Sequence, residues 1–406
     1  MSSYLVVLRT PHAARAFAAA LIGRLSYGLV YLALMLAVIR ATGSYPTAGV
    51  FLALFGLTSS VLSPLRARFV DRHGPRRVLP VMAAVYASAL AAIAVATWHP
   101  GASEPTLYVL AAAAGSSTPP LGPVMRALWS DLLPDPALRQ RAFSLDTVAE
   151  EVMYIGGPLL AGAVAAVANP SLGVALSAFL ILTGNLLLVT SPAVKGAAGV
   201  EPGTVGAARF AAAVRLHRPM LIAASVGMCL GALSLLVVAF AQSENHLAAV
   251  AWIEAALAAG SVAGGLTYGA ITWRMPAARR LPLLAAAMGA SLAVAGLSAN
   301  LYVLAALVGV VGLFVSPSLT TAYLIVDETA APDARIQAGA WVSTAFNLSN
   351  SVGVAVVGLL LAHLSLPLCF AIAATPACMA ALMAFTRVKT AKQAAAISGI
   401  SPPRVF

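Results

Sequence analysis

Charge is what this sequence has least of. Asp, Glu, Lys and Arg make up only 9% of its 406 residues, where a soluble domain carries about 25%. With so few ionised groups, the two or three globular domains that the length alone would suggest could not keep their surfaces in water. Lysine is rarer still, confined to Lys195, Lys389 and Lys392. No G-x-x-x-x-G-K-[ST] run occurs, which excludes a P-loop nucleotide site. H-E-x-x-H, G-x-S-x-G and paired histidine ligands are equally missing, so the chain is expected to be no enzyme and to need no metal or cofactor. The three cysteines, Cys229, Cys369 and Cys378, lie inside apolar runs without C-x-x-C spacing. They read as core residues, not as redox or metal centres.

What fills the chain is apolar: 61% of residues are hydrophobic and the mean hydropathy is +0.92. A hydrocarbon layer about 30 Å thick takes roughly 20 such residues per helix. Broken at Pro, Gly and charge, the sequence gives twelve runs of that size, at 16–40, 46–65, 78–98, 106–129, 143–168, 171–190, 219–241, 247–272, 281–299, 301–326, 336–362 and 366–386. The expectation is an all-α polytopic membrane protein. Its first run has full spanning length and no cleavage site, so it reads as an uncleaved helix. A Gly-, Ala- and Pro-rich stretch divides the runs six and six. The expected division is an N-terminal six-helix bundle over 1–190, a linker over 191–218, a C-terminal bundle over 219–388 and a tail over 389–406.

The excess of +11 is a matter of sidedness. With the N-terminus inside, every Lys and Arg except Arg24 and Arg40 falls in a tail, an inner loop or the inner end of a span. This is the positive-inside distribution. It places both termini in the cytoplasm and makes the bilayer of the inner (cytoplasmic) membrane, not nucleic acid, the partner of the basic residues. The two halves also echo each other. Thr118-Pro119-Pro120-Leu121 followed by Pro134-Asp135 stands 198 residues before Ser316-Pro317-Ser318-Leu319 followed by Pro332-Asp333. Arg76–Pro80 is echoed by Arg279–Pro282. Repeated halves around a site are a transporter architecture.

The densest charge is "ARFVDRHGPRRVL", Ala67 to Leu79. It resembles the loop signature between helices 2 and 3 of the major facilitator superfamily, G-x-L-a-D-R-x-G-R-R/K-x-x-L. Asp71, Arg72, Gly74, Arg76 and Leu79 match; Ala67 and Pro75 depart from it. Gly suits a tight turn that a Cβ would strain, and Asp71 can pair with an arginine or accept from a helix N-terminus. The resemblance implies a cytoplasmic gate formed by Asp71, Arg72, Gly74 and Arg76, with Arg126 near the inner end of span 4. The second half has Trp273 where Asp71 would align. "YIGGPLLAG" in span 5 resembles the Gly-Pro motif of the family's antiporter branch, with Gly157, Pro158 and Gly162 in place; Glu150 and Glu151 stand where that motif has glycines.

Ionised residues inside lipid cost about 2.5–3.5 kcal/mol each at mid-bilayer and must find partners. Here they are Arg24 in span 1, Glu150 and Glu151 in span 5 and Glu254 in span 8, with Arg126 and Asp146 nearer the inner ends of spans 4 and 5, while spans 3, 6, 9 and 12 have none. That pattern suits the helix layout implied by the family. Arg24, Tyr27 and Tyr31 share one helix face. The expectation is that Arg24 neutralises one of Glu150 and Glu151 and that the other titrates, with Asp146 nearby; the alternative is a permanent ion pair that only fixes packing. Tyr27, Tyr31, Glu254, Asn347 and Asn350 join Arg24 as substrate-cavity candidates; Ser116, Ser117, Thr118, Thr320, Thr321 and Tyr323 are weaker ones, because hydroxyls often bond their own helix. The function implied by the resemblance is a monomeric secondary carrier working by alternating access, exporting small organic molecules against protons. An uptake permease or uniporter, and a non-transporting receptor, are the alternatives.

Overall fold

The computed structural model describes residues 4–195 and 206–397, with side chains over 4–194 and 216–383. Among these residues every regular element is helical: α1 (Tyr4–Arg9), α2 (Ala13–Thr42), α3 (Tyr45–Val61), α4 (Ser63–His73), α5 (Pro75–Ala96), α6 (Glu104–Ser117), α7 (Leu121–Leu132), α8 (Pro136–Val167), α9 (Ser171–Val189), α10 (Pro192–Lys195), α11 (Gly206–Ser243), α12 (Ala249–Ala270), α13 (Ala277–Ala295), α14 (Leu301–Thr329), a short 3-10 turn (Pro332–Ala334), α15 (Arg335–Leu360) and α16 (Leu366–Ile397). Of the expected linker, residues 196–205 lie outside the described residues, as do residues 398–406 of the expected tail.

Local chemistry sets the ends. α2 closes on Gly43 at φ 68°, whose N–H donates to Ile39 O; the left-handed turn is one that glycine adopts without penalty. Ser44 accepts from the Thr47 N–H to start α3, and Asp135 accepts from the Ala137 N–H to start α8, each with a proline in the first turn. Gly74 at φ 83° separates α4 from α5, as the loop signature requires.

Among the described residues ten helices are long and apolar enough to cross a membrane, and α3 with α4, bent by 41°, makes one more if the pair is a single span. The expected span 106–129 is where the structure departs from the sequence reading. It is covered by two helices of 14 and 12 residues, each too short at 1.5 Å per residue to cross alone. Large apolar side chains such as Leu159, Val167, Val95, Leu297 and Leu359 point outward, more than two-thirds exposed, as lipid contact demands. The fold is an all-α multi-pass membrane protein.

The chain forms two units, residues 1–209 with 330–344, and 210–329 with 345–406. The first unit therefore takes in the opening turns of α15. Within it α3 packs on α6, α5 on α6 and α9, and α2 on α8 and α9. The second unit repeats the scheme: α12 on α14, α13 on α14 and α16, with Gly227 and Gly231 of α11 set against the backbone of Phe346 and Asn350 in α15. Lipid is as apolar as leucine, so close backbone approach at small residues is what holds such helices together.

Candidate functional site

The site begins where span 4 breaks. Pro119 and Pro120 offer no N–H, and each disfavours helical geometry in the residue before it. Thr118 is accordingly turned out at φ −54°, ψ 117°, and Pro120 sits at φ −84°, ψ 59°. Breaking a helix in lipid strands backbone groups that must be satisfied by protein. Here side chains do it: Arg66 Nη1 donates to Gly115 O at 2.6 Å, the Tyr27 hydroxyl to Pro119 O at 2.5 Å, and Thr118 Oγ1 to Ala114 O at 3.2 Å. The second Nη of Arg66 donates to Ser59 O at 2.5 Å.

One helical turn beyond the break lies a four-charge cluster. Arg24 Nη1 is 2.6 Å from Asp146 Oδ1 and Arg24 Nη2 is 3.2 Å from Glu150 Oε2. Arg126 braces the same two carboxylates from α7, with Nε 3.2 Å from Asp146 Oδ2 and Nη2 2.5 Å from Glu150 Oε2. Asp146 and Glu150 are i, i+4 neighbours on α8, so one helix face offers both to two guanidinium groups. Asp146 is fully buried and both arginines nearly so, whereas the Glu150 side chain keeps 30% exposure.

This arrangement sharpens the expected pairing. Arg24 meets Glu150 as anticipated, but its shortest contact is with Asp146. Arg126, expected from the resemblance at the gate, contacts both carboxylates of the cluster. Glu151 is half-buried at the adjacent position. Tyr31 stays partly exposed, its ring edge-on to Phe55 at 5.2 Å, so the face carrying Arg24, Tyr27 and Tyr31 fans out towards α8, the break and α3. Ser116 and Ser117 bond carbonyls of their own helix.

In the second unit Glu254 is half-buried on α12 and, among the described residues, has no hydrogen bond or ion pair. Asn347 is exposed and Asn350 half-buried. Thr320 and Thr321 are buried, Thr321 bonding the Tyr268 hydroxyl at 2.6 Å, and Tyr323 is buried on the same helix. Where the first half has Asp71, Trp273 stacks with Tyr268, and the Arg280 guanidinium lies over both rings at 5.3 and 5.4 Å. A cation–aromatic stack thus occupies the place of a carboxylate.

At the end of the first unit near α4, Asp71 accepts from the backbone N–H groups of Ile336 and Gln337, at 3.2 and 2.8 Å. It acts as a carboxylate cap on the positive end of α15. Arg335 reaches Asp131 at 3.3 Å, and Thr344 Oγ1 donates to Ser60 O at 3.0 Å. Arg72 and Arg76 are exposed beside them. In the Gly-Pro motif, a Cβ on Gly157 would collide with the backbone of Gly28 on α2, while Gly162 faces open space. Pro158 stays inside the continuous α8.

Arg66, Asp131 and Thr344 were not singled out from sequence. Arg66 had been counted among inner-end topology charges; its signal was the double proline at 119–120, which frees carbonyls that some buried donor must meet.

Ionised residues held inside two repeated helical units, with a broken helix beside them, define a membrane transporter. The chain belongs to the Major Facilitator Superfamily, whose family model matches residues 16–288. No curated protein matches it. Among solved structures it is similar to the human organic anion transporter MFSD10 (TETRAN), with 17% identity, 95% of this chain and 100% of that one covered, and a TM-score of 0.69. It is also similar to a bacterial homologue of the iron transporter ferroportin in an outward-facing state (14% identity, 91% and 96% covered, TM-score 0.72). The E. coli fucose:proton symporter FucP matches at 12% identity, 95% and 99% coverage and a TM-score of 0.72. Such identities establish a shared fold. The protein is a non-enzymatic secondary transporter of small molecules.

Proposed function

We propose that this carrier couples export of a small organic molecule to proton entry, by alternating access and as a monomer in the inner membrane with both termini cytoplasmic. The observation that carries the reading is the unequal exposure of the cluster. Three of its four charges are sealed; Glu150 alone is open. Two guanidinium groups and two carboxylates balance, so a proton arriving on Glu150 leaves one positive charge uncompensated in a medium that tolerates none. Arg24, Arg126 and Asp146 must then re-pair, and a proton becomes a change in helix contacts between α2, α7 and α8. Asp71 serves as the cytoplasmic latch: while it caps α15, the opening turns of that helix stay with the first unit.

Uptake is the second reading, because the fucose:proton symporter has the same fold and runs protons with its sugar. Proteoliposomes filled with a pH-sensitive dye and challenged with a drug and metabolite panel test both. At least one compound should move protons, and Glu150→Gln should cut that movement tenfold or more. Undiminished coupling in Glu150→Gln and in Glu151→Gln sinks the proposal; the gradient sign that drives accumulation separates export from uptake.

A further inference from the structure

We propose that the break in span 4 is an anion subsite, and that the transported molecule is an organic carboxylate that docks there. The inference rests on reading the first-unit cluster as the transport site, and adds to it the substrate's charge.

Three features lie at the break or on the helix turn beside it. The first is Arg66. It is 6% exposed, and among the described residues its two Nη atoms bond only neutral carbonyls and its Nε has no partner. Arg24 and Arg126 are already matched two-for-two by Asp146 and Glu150, so that cluster has no carboxylate to spare for it. A buried guanidinium with no counter-ion is costly to keep, and it bonds the last turn of α6 right at the break.

The second is the start of α7, a helix of 12 residues whose cap, Pro120, supplies no side-chain acceptor. The Leu121 and Val124 N–H groups find Pro119 O and Pro120 O, Pro123 has no N–H, and the Gly122 N–H has no acceptor among the described residues. Free N–H groups at the positive end of a helix are a ready oxyanion site. Half-helices broken at mid-membrane present this end to anionic substrate groups.

The third is the absence of a side chain at Gly122. A Cβ there would lie 3.5 Å from Arg126 Nη1 and 3.7 Å from Glu150 Oε1, so bare backbone separates the helix end from the cluster. A substrate carboxylate at the break would meet Arg66 Nε and the Gly122 N–H, next to Glu150.

The test uses purified full-length protein in detergent and equilibrium protection against thermal unfolding. The probes, at equal ionic strength, are benzoate against benzamide and benzylamine, succinate against succinamide, and inorganic phosphate. A carboxylate should raise the melting temperature with a Kd at least tenfold below that of its amide. Arg66→Gln should abolish the effect and Arg66→Lys should retain it. If Arg66→Gln fails to fold, Gly122→Ala, whose methyl group fits without collision, should weaken carboxylate binding tenfold or more. Equal protection by amides or amines, protection by phosphate alone, or none from any carboxylate overturns the proposal. Binding needs no gradient, so carboxylate protection without proton flux would overturn the coupling reading alone.

Discussion

Arg24 and Asp146, 122 residues apart in sequence, meet at 2.6 Å with neither side chain more than 3% exposed. The pair ties the first span to the fifth at a depth where water cannot screen it. Removing one partner of a buried pair costs about 3–5 kcal/mol, because the other is left charged and alone. Asp146→Asn should therefore lower the melting temperature sharply, and Arg24→Gln likewise. The double variant should lose less than the sum of the two, with a coupling energy of about 1–3 kcal/mol from the cycle. Additive losses would mean that the two charges are not paired in the membrane.

Asp71 caps two backbone N–H groups, and the loss of a cap costs about 0.5–2 kcal/mol. Asp71→Ala should speed hydrogen exchange at Ile336 and Gln337 roughly tenfold, since about 1.4 kcal/mol is a factor of ten. Arg72→Ala, at an exposed neighbour, should leave those amides unchanged. Exchange that rises equally in both variants would assign the effect to the loop's charge and not to the cap.

The motif glycines of span 5 should behave differently from one another. A methyl group at Gly157 would sit on the backbone of Gly28, and overpacking a tight interface costs about 1–3 kcal/mol. Gly157→Ala should destabilise by at least that, whereas Gly162→Ala, facing open space, should stay within about 0.5 kcal/mol. Thermal melts of the two variants side by side decide it.

Most of the apolar stretches and the basic loop were legible because hydropathy and charge are local, while for Asp71 the sequence left an arginine and a helix N-terminus both open as partners. What could not be read was which face of a helix meets which neighbour. Arg126 looked like an inner-end charge and Asp146 like a bystander to Glu151; both belong to a cluster assembled from α2, α7 and α8. Span averaging likewise ran straight across Thr118–Pro120, although two successive prolines were in plain view.

The repeated proline motif supplies the sharpest comparison. Thr118-Pro119-Pro120 breaks span 4, yet its counterpart 198 residues later, with Pro317 alone, lies inside the unbroken α14. One proline removes a single donor, which a helix survives with a bend; two in succession also push two residues out of helical geometry. Pro119→Ala with Pro120→Ala should let α6 run into α7, taking from Tyr27 its carbonyl partner and closing the free end of α7. Benzoate protection should then weaken at least tenfold while the protein remains folded. Pro317→Ala should leave that protection intact. If the double variant binds benzoate as tightly as before, the break is not where the anion sits.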